Sequence, residues 1–244
     1  MAPSRRFTLR KGFTLIELLA TVAVVLILAA MTLGAMSGVR KRANDTKCVG
    51  NLHALSGAFG TYIADYNAWP SFNREDPNNP ANYSSHPWFF SLLKQNYIPL
   101  RNEQREGYTC LVSDMLTCPA NKENPGSRYQ WTPAPYPWRS NYTSNSYWGY
   151  YNGKPEDFSP ANDKVRPSSV TNSKAIVLID SAGTSQVGYP NLAAEWTKAN
   201  CYIAKAHGGA AHALLANGSV VRISPESHPD IAERKYWDPR LATQ

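Results

Sequence analysis

The 244-residue sequence has little charge and no compositional repeat. Only 18% of its residues are charged and 43% are hydrophobic, a balance that excludes an intrinsically disordered protein. The 15 glycines and 18 prolines follow no period, which excludes collagen-like and low-complexity classes. Length and composition therefore predict one or two folded domains.

No acidic residue precedes Glu17, and this local absence accounts for much of the formal net charge of +7. Arg5, Arg6, Arg10 and Lys11 lie within the first eleven positions. Without these four, 21 basic residues stand against 18 acidic ones, a net charge of +3. An excess this small forms no basic face, so the sequence predicts no nucleic-acid partner.

No charge interrupts the 22 residues from Leu18 to Val39. At about 1.5 Å per residue, this apolar run is long enough to cross the ~30 Å hydrocarbon core of a membrane. An A-x-A-like cleavage site, which would end an ordinary signal peptide, is missing between Ala20 and Arg40. The run therefore predicts a membrane-anchoring helix, whose orientation the flanking basic residues leave open.

Glu17 stands at the edge of the apolar run, where a carboxylate is costly and usually marks a function. The alternative is that Glu17 only reaches the lipid head groups as an acid in the first helical turn. The segment 10–30, RKGFTLIELLATVAVVLILAA, resembles the class III signal of type IV prepilins and type II secretion pseudopilins. Residues 12–17 match that signal in register.

The resemblance to prepilins implies a processing pathway and an assembly role. The prepilin peptidase, which is also the N-methyltransferase, would cleave between Gly12 and Phe13 on the cytoplasmic side and methylate the Phe13 amine. Glu17 would pair with the N-terminal amine of a neighbouring pilin or pseudopilin subunit. The chain would be a single-pass protein of the bacterial inner membrane with its C-terminal domain in the periplasm, and later part of a filament or the cell surface. It would be structural, with no catalytic residue and no cofactor.

Gly34 and Gly38 form a G-x-x-x-G step within the same span. Such a step lets two helices approach closely and predicts a helix-packing contact. The alternative is that glycine is simply frequent in membrane helices.

Helical periodicity continues beyond the apolar run, and no proline occurs between Pro3 and Pro70. A stripe at steps of three and four residues predicts one buried face; it comprises Cys48, Leu52, Leu55, Phe59, Tyr62 and Tyr66. The predicted fold is α+β, a pilin-like lollipop in which a long N-terminal helix, its first half transmembrane, packs on a small antiparallel sheet with long loops. The predicted divisions are a cleaved leader at 1–12, a transmembrane assembly helix at 13–39, its amphipathic continuation at 40–70 and a loop-rich globular domain outside the cytoplasm at 71–244.

Two segments of the globular domain carry strong strand signals. Residues 175–179, AIVLI, predict a buried strand. Two apolar runs joined by Asn217-Gly218 predict a hairpin with a type I′ turn, in which Leu215 pairs with Val220. Both faces of this hairpin are apolar near the turn, so we expect it inside a sheet that is covered on both sides.

A second resemblance concerns His207, which nine residues separate from Asn217-Gly218. This spacing is similar to the H-X9-DG signature of a group of prepilin-like proteins, and four further segments look like landmarks of that group: 47–55, 116–121, 145–152 and 175–181. Asn217 stands where the group has aspartate and cannot supply a charged ligand. No metal site is predicted.

The four cysteines are Cys48, Cys110, Cys118 and Cys201. An even number in an exported domain favours disulfides, and three pairings are open. A Cys110–Cys118 disulfide would close a short loop, whereas Cys48 could clamp the helix to the domain. A zinc site is the competing interpretation, but C-x7-C lacks the usual short ligand spacing.

Two further features suggest alternative functions. Asp180, Ser181 and His207 would suit a membrane-tethered hydrolase, but no G-x-S-x-G motif accompanies them, and we expect the His207 ring to bond backbone near the hairpin. Nine Trp and Tyr residues fall between Tyr129 and Tyr151. If exposed, they would form a carbohydrate- or protein-binding loop on a membrane-anchored module; otherwise they cover the helix stripe as core.

Overall fold

The structure is a computed structural model that describes residues 12–70, 89, 92–93, 95–105, 108–121, 140–145, 148, 165–181, 186–187 and 203–241. Among these, side chains are outside the description at 32–35, 103–105, 108–112 and 186–187. The chain divides into two compact units, Met1–Ala43 and Asn44–Gln244.

Helix α1 extends from Leu15 to Tyr66 and confirms the predicted long N-terminal helix. It begins with a capping box, because Thr14 Oγ1 accepts a hydrogen bond from Glu17 N while Glu17 Oε2 accepts one from Thr14 N. It ends where Asn67 adopts a left-handed φ of 48° and donates its N–H to the Ile63 carbonyl at 2.8 Å. An asparagine in this conformation is a common C-terminal cap.

The predicted stripe on the second half of α1 is the helix's contribution to the core. Its first five members are buried, whereas Tyr66 in the last turn is 43% exposed and stacks on Tyr62 with a centroid distance of 4.6 Å. The prediction is therefore confirmed except at Tyr66, where the helix ends. The buried members pack in one hydrophobic cluster with residues of the sheet and its loops, among them Leu116, Tyr142, Trp148, Leu178 and Leu214.

In the part of the chain that the structure describes, seven strands follow the helix and form two sheets. Strands β1 (Arg101–Arg105) and β2 (Tyr108–Val112) pair as an antiparallel hairpin. The main sheet has the order β5-β3-β4-β6-β7 and comprises β3 (Tyr142–Asn145), β4 (Ile176–Asp180), β5 (Gln186–Val187), β6 (Ala211–Leu215) and β7 (Val220–Ile223). Only β5 runs parallel to its neighbour; the other pairs are antiparallel. The α+β class and the small, mainly antiparallel sheet are as predicted.

Strands β3 and β4 of the main sheet are fully buried, whereas β7 lies at the edge of the sheet and is only partly buried. The expectation that the β6–β7 hairpin is covered on both faces is therefore confirmed for β6 but not for β7. Every residue of β4 is buried, and the strand contributes to two clusters: Val177 and Leu178 pack with the helix stripe, whereas Ile176 and Ile179 pack with Trp237 from the C-terminal segment. The Asn145 side chain joins β4 to the C-terminal segment, since its Nδ2 donates to the carbonyls of Ile176 and Trp237, both at 2.6 Å. These bonds hold the start of β4 beside the C-terminal segment.

The β6–β7 hairpin is present, but its predicted register is wrong by one residue. Leu214, rather than Leu215, pairs with Val220. Only Gly218 has a positive φ, at 82°, whereas a type I′ turn requires a positive φ at Asn217 as well. The loop is therefore a three-residue turn with glycine in the left-handed position, and the Asn217 side chain accepts hydrogen bonds from the N–H and hydroxyl of Ser219.

We expect Gly218→Ala to lower the free energy of unfolding by about 1–2 kcal/mol, because alanine is strained at this positive φ. A Cβ would also lie 2.9 Å from Ser56 Oγ on helix α1. Chemical denaturation of the full chain in detergent measures the loss, and adding Ser56→Gly separates its two causes. If Ser56→Gly restores the stability, the loss comes from the clash with Ser56 Oγ. If the loss is unchanged, it comes from the strained backbone at position 218. Wild-type stability for Gly218→Ala alone would contradict the turn geometry.

Candidate functional site

The predicted processing point lies in exposed, non-helical backbone. Residues 12–14 precede the first turn of α1, and Phe13 is 81% exposed. At Gly12 an added Cβ would meet nothing within 4 Å. The bond between Gly12 and Phe13 therefore belongs to an accessible, non-helical segment, which a peptidase can reach.

Glu17 occupies the first turn of α1, and its described contacts are local. Its Oε2 accepts hydrogen bonds from both the N–H and the hydroxyl of Thr14, each at 2.8 Å. These bonds cap the helix and hold the carboxylate beside the start of the helix. The carboxylate is exposed, so a neighbouring molecule can reach it.

The helix after Glu17 is apolar on all sides and exposed. Its large exposed side chains comprise Leu15, Ile16, Leu18, Leu19, Val22, Val24, Val25, Leu26, Ile27, Leu28, Met31, Met36 and Val39. An exposed apolar surface of this extent marks an interface with lipid or with other proteins. No single helix in the described ranges is long and apolar enough to cross a membrane, whereas the bent pair Leu15–Met31 and Met36–Tyr66 satisfies that requirement by length and composition alone.

The two glycines of the G-x-x-x-G step lie on this helix. At Gly38 an added Cβ would meet nothing within 4 Å, so the surface there is open. Gly34 has helical backbone, but its surroundings fall among residues 32–35, outside the described side chains.

His207 lies in the turn that leads into β6, and its ring does not bond backbone as expected. Its Nδ1 lies 2.5 Å from Asp45 Oδ1, and its Nε2 lies 3.1 Å from Asp180 Oδ2 and 3.2 Å from Cys118 Sγ. The expectation is wrong because the turn that carries His207 faces α1 and the end of β4, whose side chains the ring contacts. Backbone bonds involve the His207 main chain instead, which donates to Ala210 and accepts from Arg222.

Around His207 a buried cluster of ionisable side chains forms within the second unit. Cys48 Sγ lies 3.5 Å from Asp180 Oδ1, and His212 Nδ1 lies 4.0 Å from Asp180 Oδ2. One ligand atom from each of Cys48, Asp180, His207 and His212 lies within 4.8 Å of the other three. All four residues are buried, so we name this group the Cys-Asp-His cluster.

Secondary structure brings the members of the cluster together from distant parts of the sequence. Cys48 begins the stripe on α1, and Asp45 lies one turn before it on the same face. Asp180 is the last residue of β4, and His212 lies near the start of the neighbouring strand β6. The backbone N–H of His212 donates to Asp180 Oδ2 at 2.8 Å, which fixes that carboxylate between the strands.

Burial and mutual contact shift the pKa values of these groups. Burial lowers the pKa of His207, but hydrogen bonds to Asp180, Cys118 and Asp45 outweigh burial and raise it to about 10. Burial, followed by the nearby charge of His207, lowers the pKa of His212. The two imidazoles therefore differ, with His207 favouring the protonated form and His212 the neutral form.

The two thiols are also shifted in opposite directions. The hydrogen bond from Cys48, supported by His207, lowers the pKa of Cys118 to about 6 against the effect of burial. Contact with Cys118, followed by burial, raises the pKa of Cys48. Neighbouring side chains whose pKa values are strongly shifted are typical of catalytic or metal-binding sites.

The cysteines do not form the predicted disulfides at the two positions whose side chains are described. Cys48 and Cys118 are free, buried thiols beside each other, so Cys118 is not joined to Cys110. Cys110 has strand backbone in β2 with its side chain outside the description, and Cys201 lies outside the described residues. The structure does place Cys48 against the domain, as the stripe predicts.

The geometry does not suit the hydrolase alternative. Asp180 does lie beside His207, and Cys118, His207 and Asp45 follow one another as a nucleophile, base and orienting acid would. However, Cys118 is only 2% exposed, and Ser181 and Asp180 are fully buried. A substrate the size of a peptide or sugar does not reach these groups, whereas a bare ion can be enclosed during folding.

The aromatic segment 129–151 is described only in part. Tyr142 and Trp148 are buried, and Trp148 donates its indole N–H to the Ile176 carbonyl at 2.9 Å. These two members belong to the core, as the core interpretation expects. The remaining aromatic residues of the segment lie outside the described residues.

Comparison with known proteins first identifies the N-terminal segment. The model of the prokaryotic N-terminal methylation motif matches residues 8–33, which include Gly12, Phe13 and Glu17. No solved structure shows a significant match to the chain.

Curated relatives extend the similarity beyond the motif. Two forms of the type IV major pilin protein PilE1 of Neisseria gonorrhoeae are each 31% identical over 121 residues, or 50% of this chain, and the match covers 61% of one and 67% of the other. A third form is matched over only 34% of its length. The type IV wide pilus major component PilA4 of Thermus thermophilus is 43% identical over 25% of this chain and 47% of its own length. The chain belongs to the type IV pilin family.

Proposed function

We propose that the chain is a structural pilin-like subunit that assembles into a filament through the first part of α1. The observation that supports this proposal is the first part of α1, which is exposed and apolar on all sides and begins with the helix-capping carboxylate of Glu17. The relatives named above as major pilins support it. We further propose that residues 1–12 are a cleaved leader, 13–39 a transmembrane and assembly helix, 40–70 its amphipathic continuation and 71–244 the exported domain.

Glu17 guides assembly through its charge. Once the chain is cleaved after Gly12, Phe13 carries a new α-amino group. A carboxylate surrounded by apolar helices needs a cation, and the amine of a neighbouring subunit supplies one. Because each subunit carries one of each group, the pair fixes the axial register of successive subunits. Close helix contact at Gly34 and Gly38 adds van der Waals packing to this interface.

In this proposal the protein resides in the bacterial inner membrane before assembly, with its domain on the periplasmic side, and in a filament afterwards. The prepilin peptidase and N-methyltransferase processes it, and copies of itself or other pilin-like subunits are its partners. The similarity to pilus components supports a type IV pilus-like filament, with a type II secretion filament as the alternative.

Intact mass and N-terminal peptide mapping of the protein from its host's membranes test the first step. We expect a chain that begins at N-methylated Phe13, because residues 12–14 are exposed and non-helical beside the capped Glu17. The same chain expressed in cells without a prepilin peptidase is the control and should keep its leader. A chain that begins near Met1 in the native host would contradict the proposal and indicate an ordinary signal-anchored protein.

A further inference from the structure

We propose that Cys48, Asp180, His207 and His212 bind one zinc ion in the core of the exported domain. The donor set is one thiolate, one carboxylate and two imidazoles, which are the ligand types that Zn²⁺ takes in proteins. Four protein ligands with no open position are typical of a structural zinc site. The site would join α1 to strands β4 and β6, independently of the N-terminal assembly segment.

The distances within the Cys-Asp-His cluster fit a small tetrahedral site. Zinc–ligand bonds of about 2.0–2.3 Å place neighbouring ligand atoms of a tetrahedron roughly 3.3–3.8 Å apart. Asp180 Oδ2 lies 3.1 Å from His207 Nε2 and 4.0 Å from His212 Nδ1, and Asp180 Oδ1 lies 3.5 Å from Cys48 Sγ. All four ligand atoms lie within 4.8 Å of one another, so side-chain shifts of about 1 Å or less bring them onto one ion.

His212 supplies an independent reason to place a ligand here. Its side chain is 8% exposed, and its Nδ1 has no hydrogen-bond partner although it faces Asp180. Leaving a buried polar atom unsatisfied costs about 1–3 kcal/mol, and most such atoms in proteins are paired. A zinc ion between Nδ1 and Asp180 satisfies this atom.

Further contacts hold the proposed ligands in orientation. The Asp45 carboxylate lies against His207 Nδ1, which directs Nε2 of the same ring into the cluster. The Tyr142 hydroxyl donates to Cys48 Sγ at 3.3 Å, and the His212 backbone N–H donates to Asp180. Carboxylates that orient ligating histidines, and donors to ligating groups, are typical of metal sites.

Cys118 defines the competing chemistry. It lies beside Cys48 and within 3.2 Å of His207 Nε2, so oxidation could join the two thiols in a disulfide. Such a disulfide would remove Cys48 from the ligand set, and zinc binding and the disulfide therefore exclude each other. The experiment must distinguish them.

The test measures zinc in the full chain, purified in detergent without chelators, by elemental mass spectrometry. We expect about one zinc per chain. After chelation, Co²⁺ alone should produce thiolate-to-cobalt charge transfer and the intense ligand-field bands of a tetrahedral site. His212→Ala and Asp180→Asn should lose the bound zinc, whereas His53→Ala, which changes an exposed histidine on α1, should retain it. Asp45→Asn should weaken zinc binding roughly 10- to 100-fold.

Cys118→Ala separates the two interpretations, because it prevents the disulfide and keeps all four proposed ligands. Undiminished zinc in this variant supports the assignment, and loss of zinc overturns it. A Cys48–Cys118 disulfide in the native protein, or a reduced wild-type chain that takes up neither zinc nor cobalt, also overturns it. If a ligand variant fails to fold by circular dichroism, the cobalt spectrum of the wild type decides. None of these results bears on processing at Phe13, so the filament proposal stands or fails separately.

Discussion

Replacing Glu17 with alanine is expected to abolish filament assembly while leaving cleavage between Gly12 and Phe13 intact. The substitution removes the only acidic side chain between Met1 and Val39, and with it the proposed partner of the new α-amino group. Breaking a buried ion pair by deleting one partner costs about 3–5 kcal/mol, because the other charge is left unpaired. That loss weakens each subunit contact by roughly 100- to 1,000-fold or more. Subunit content of sheared filaments measures assembly, and the N-terminal peptide from membranes measures cleavage.

Glu17→Gln is the informative control, because it separates the helix capping that the structure shows from the charge pairing that we propose. Glutamine can keep the reciprocal hydrogen bonds with Thr14 that cap α1, but it carries no charge. If charge pairing drives assembly, Glu17→Gln fails as completely as Glu17→Ala. If capping is what matters, Glu17→Gln assembles normally. Thr21→Ala removes only a hydroxyl bonded to the Leu18 carbonyl of the same helix and should assemble like the wild type.

Normal incorporation of Glu17→Ala into filaments would contradict the proposal. Glu17 would then act only as an acid at the start of a helix, reaching the head groups. The apolar surface of α1 would have to determine subunit register by packing alone, with Gly34 and Gly38 as the points of closest approach.

The parts of the fold that were predictable from sequence are those in which local periodicity reflects burial. The spacing of Cys48, Leu52, Leu55 and Phe59 identifies one face of a helix because 3.6 residues complete a turn, and that face is buried. The continuous apolar run at 175–179 likewise corresponds to β4, which has helix stripe on one side and the C-terminal segment on the other. Neither inference needed knowledge of a distant contact.

The hairpin shows where local inference stops. Asn217-Gly218 correctly indicated a turn, but asparagine adopts either sign of φ at little cost. The choice between a two-residue and a three-residue loop then rests on neighbours such as Ser56 on α1 and Ser219, which bonds the Asn217 side chain. A one-residue difference in the loop shifts every pair of the two strands.

The Cys-Asp-His cluster could not be predicted from the sequence, for a different reason. Its ligands come from a helix, a strand end, a turn and a second strand, so no short spacing joins them as in common zinc motifs. His207 was singled out by its distance from Asn217-Gly218, and Cys48 by its place on the stripe. What could not be foreseen is that Asp180 and His212 lie on adjacent antiparallel strands and meet both.

Replacing Phe59 with alanine is expected to lower the free energy of unfolding of the domain by about 3–5 kcal/mol. Phe59 is 1% exposed, and its ring lies 5.8 Å from that of Trp69, centroid to centroid. It belongs to the same cluster as Leu178 and Leu214 of the sheet, so the cavity would open between α1 and the strands. Because domains are commonly stable by only about 5–15 kcal/mol, this loss is a large fraction of the total. Denaturant unfolding of the full chain in detergent, followed by tryptophan fluorescence, measures it.

Gly60→Ala is the matched control, one residue further along the same helix. Gly60 is exposed, and an added Cβ there meets nothing within 4 Å, so we expect a gain of about 0.5–1 kcal/mol. Both variants place alanine, the best helix former, in the same turn, and helix propensity therefore favours both. A loss confined to Phe59→Ala can then come only from packing. Equal stabilities of the two variants would contradict the packing of this part of α1 against the sheet. The expected difference between them would show that the stripe is an essential part of the domain's core.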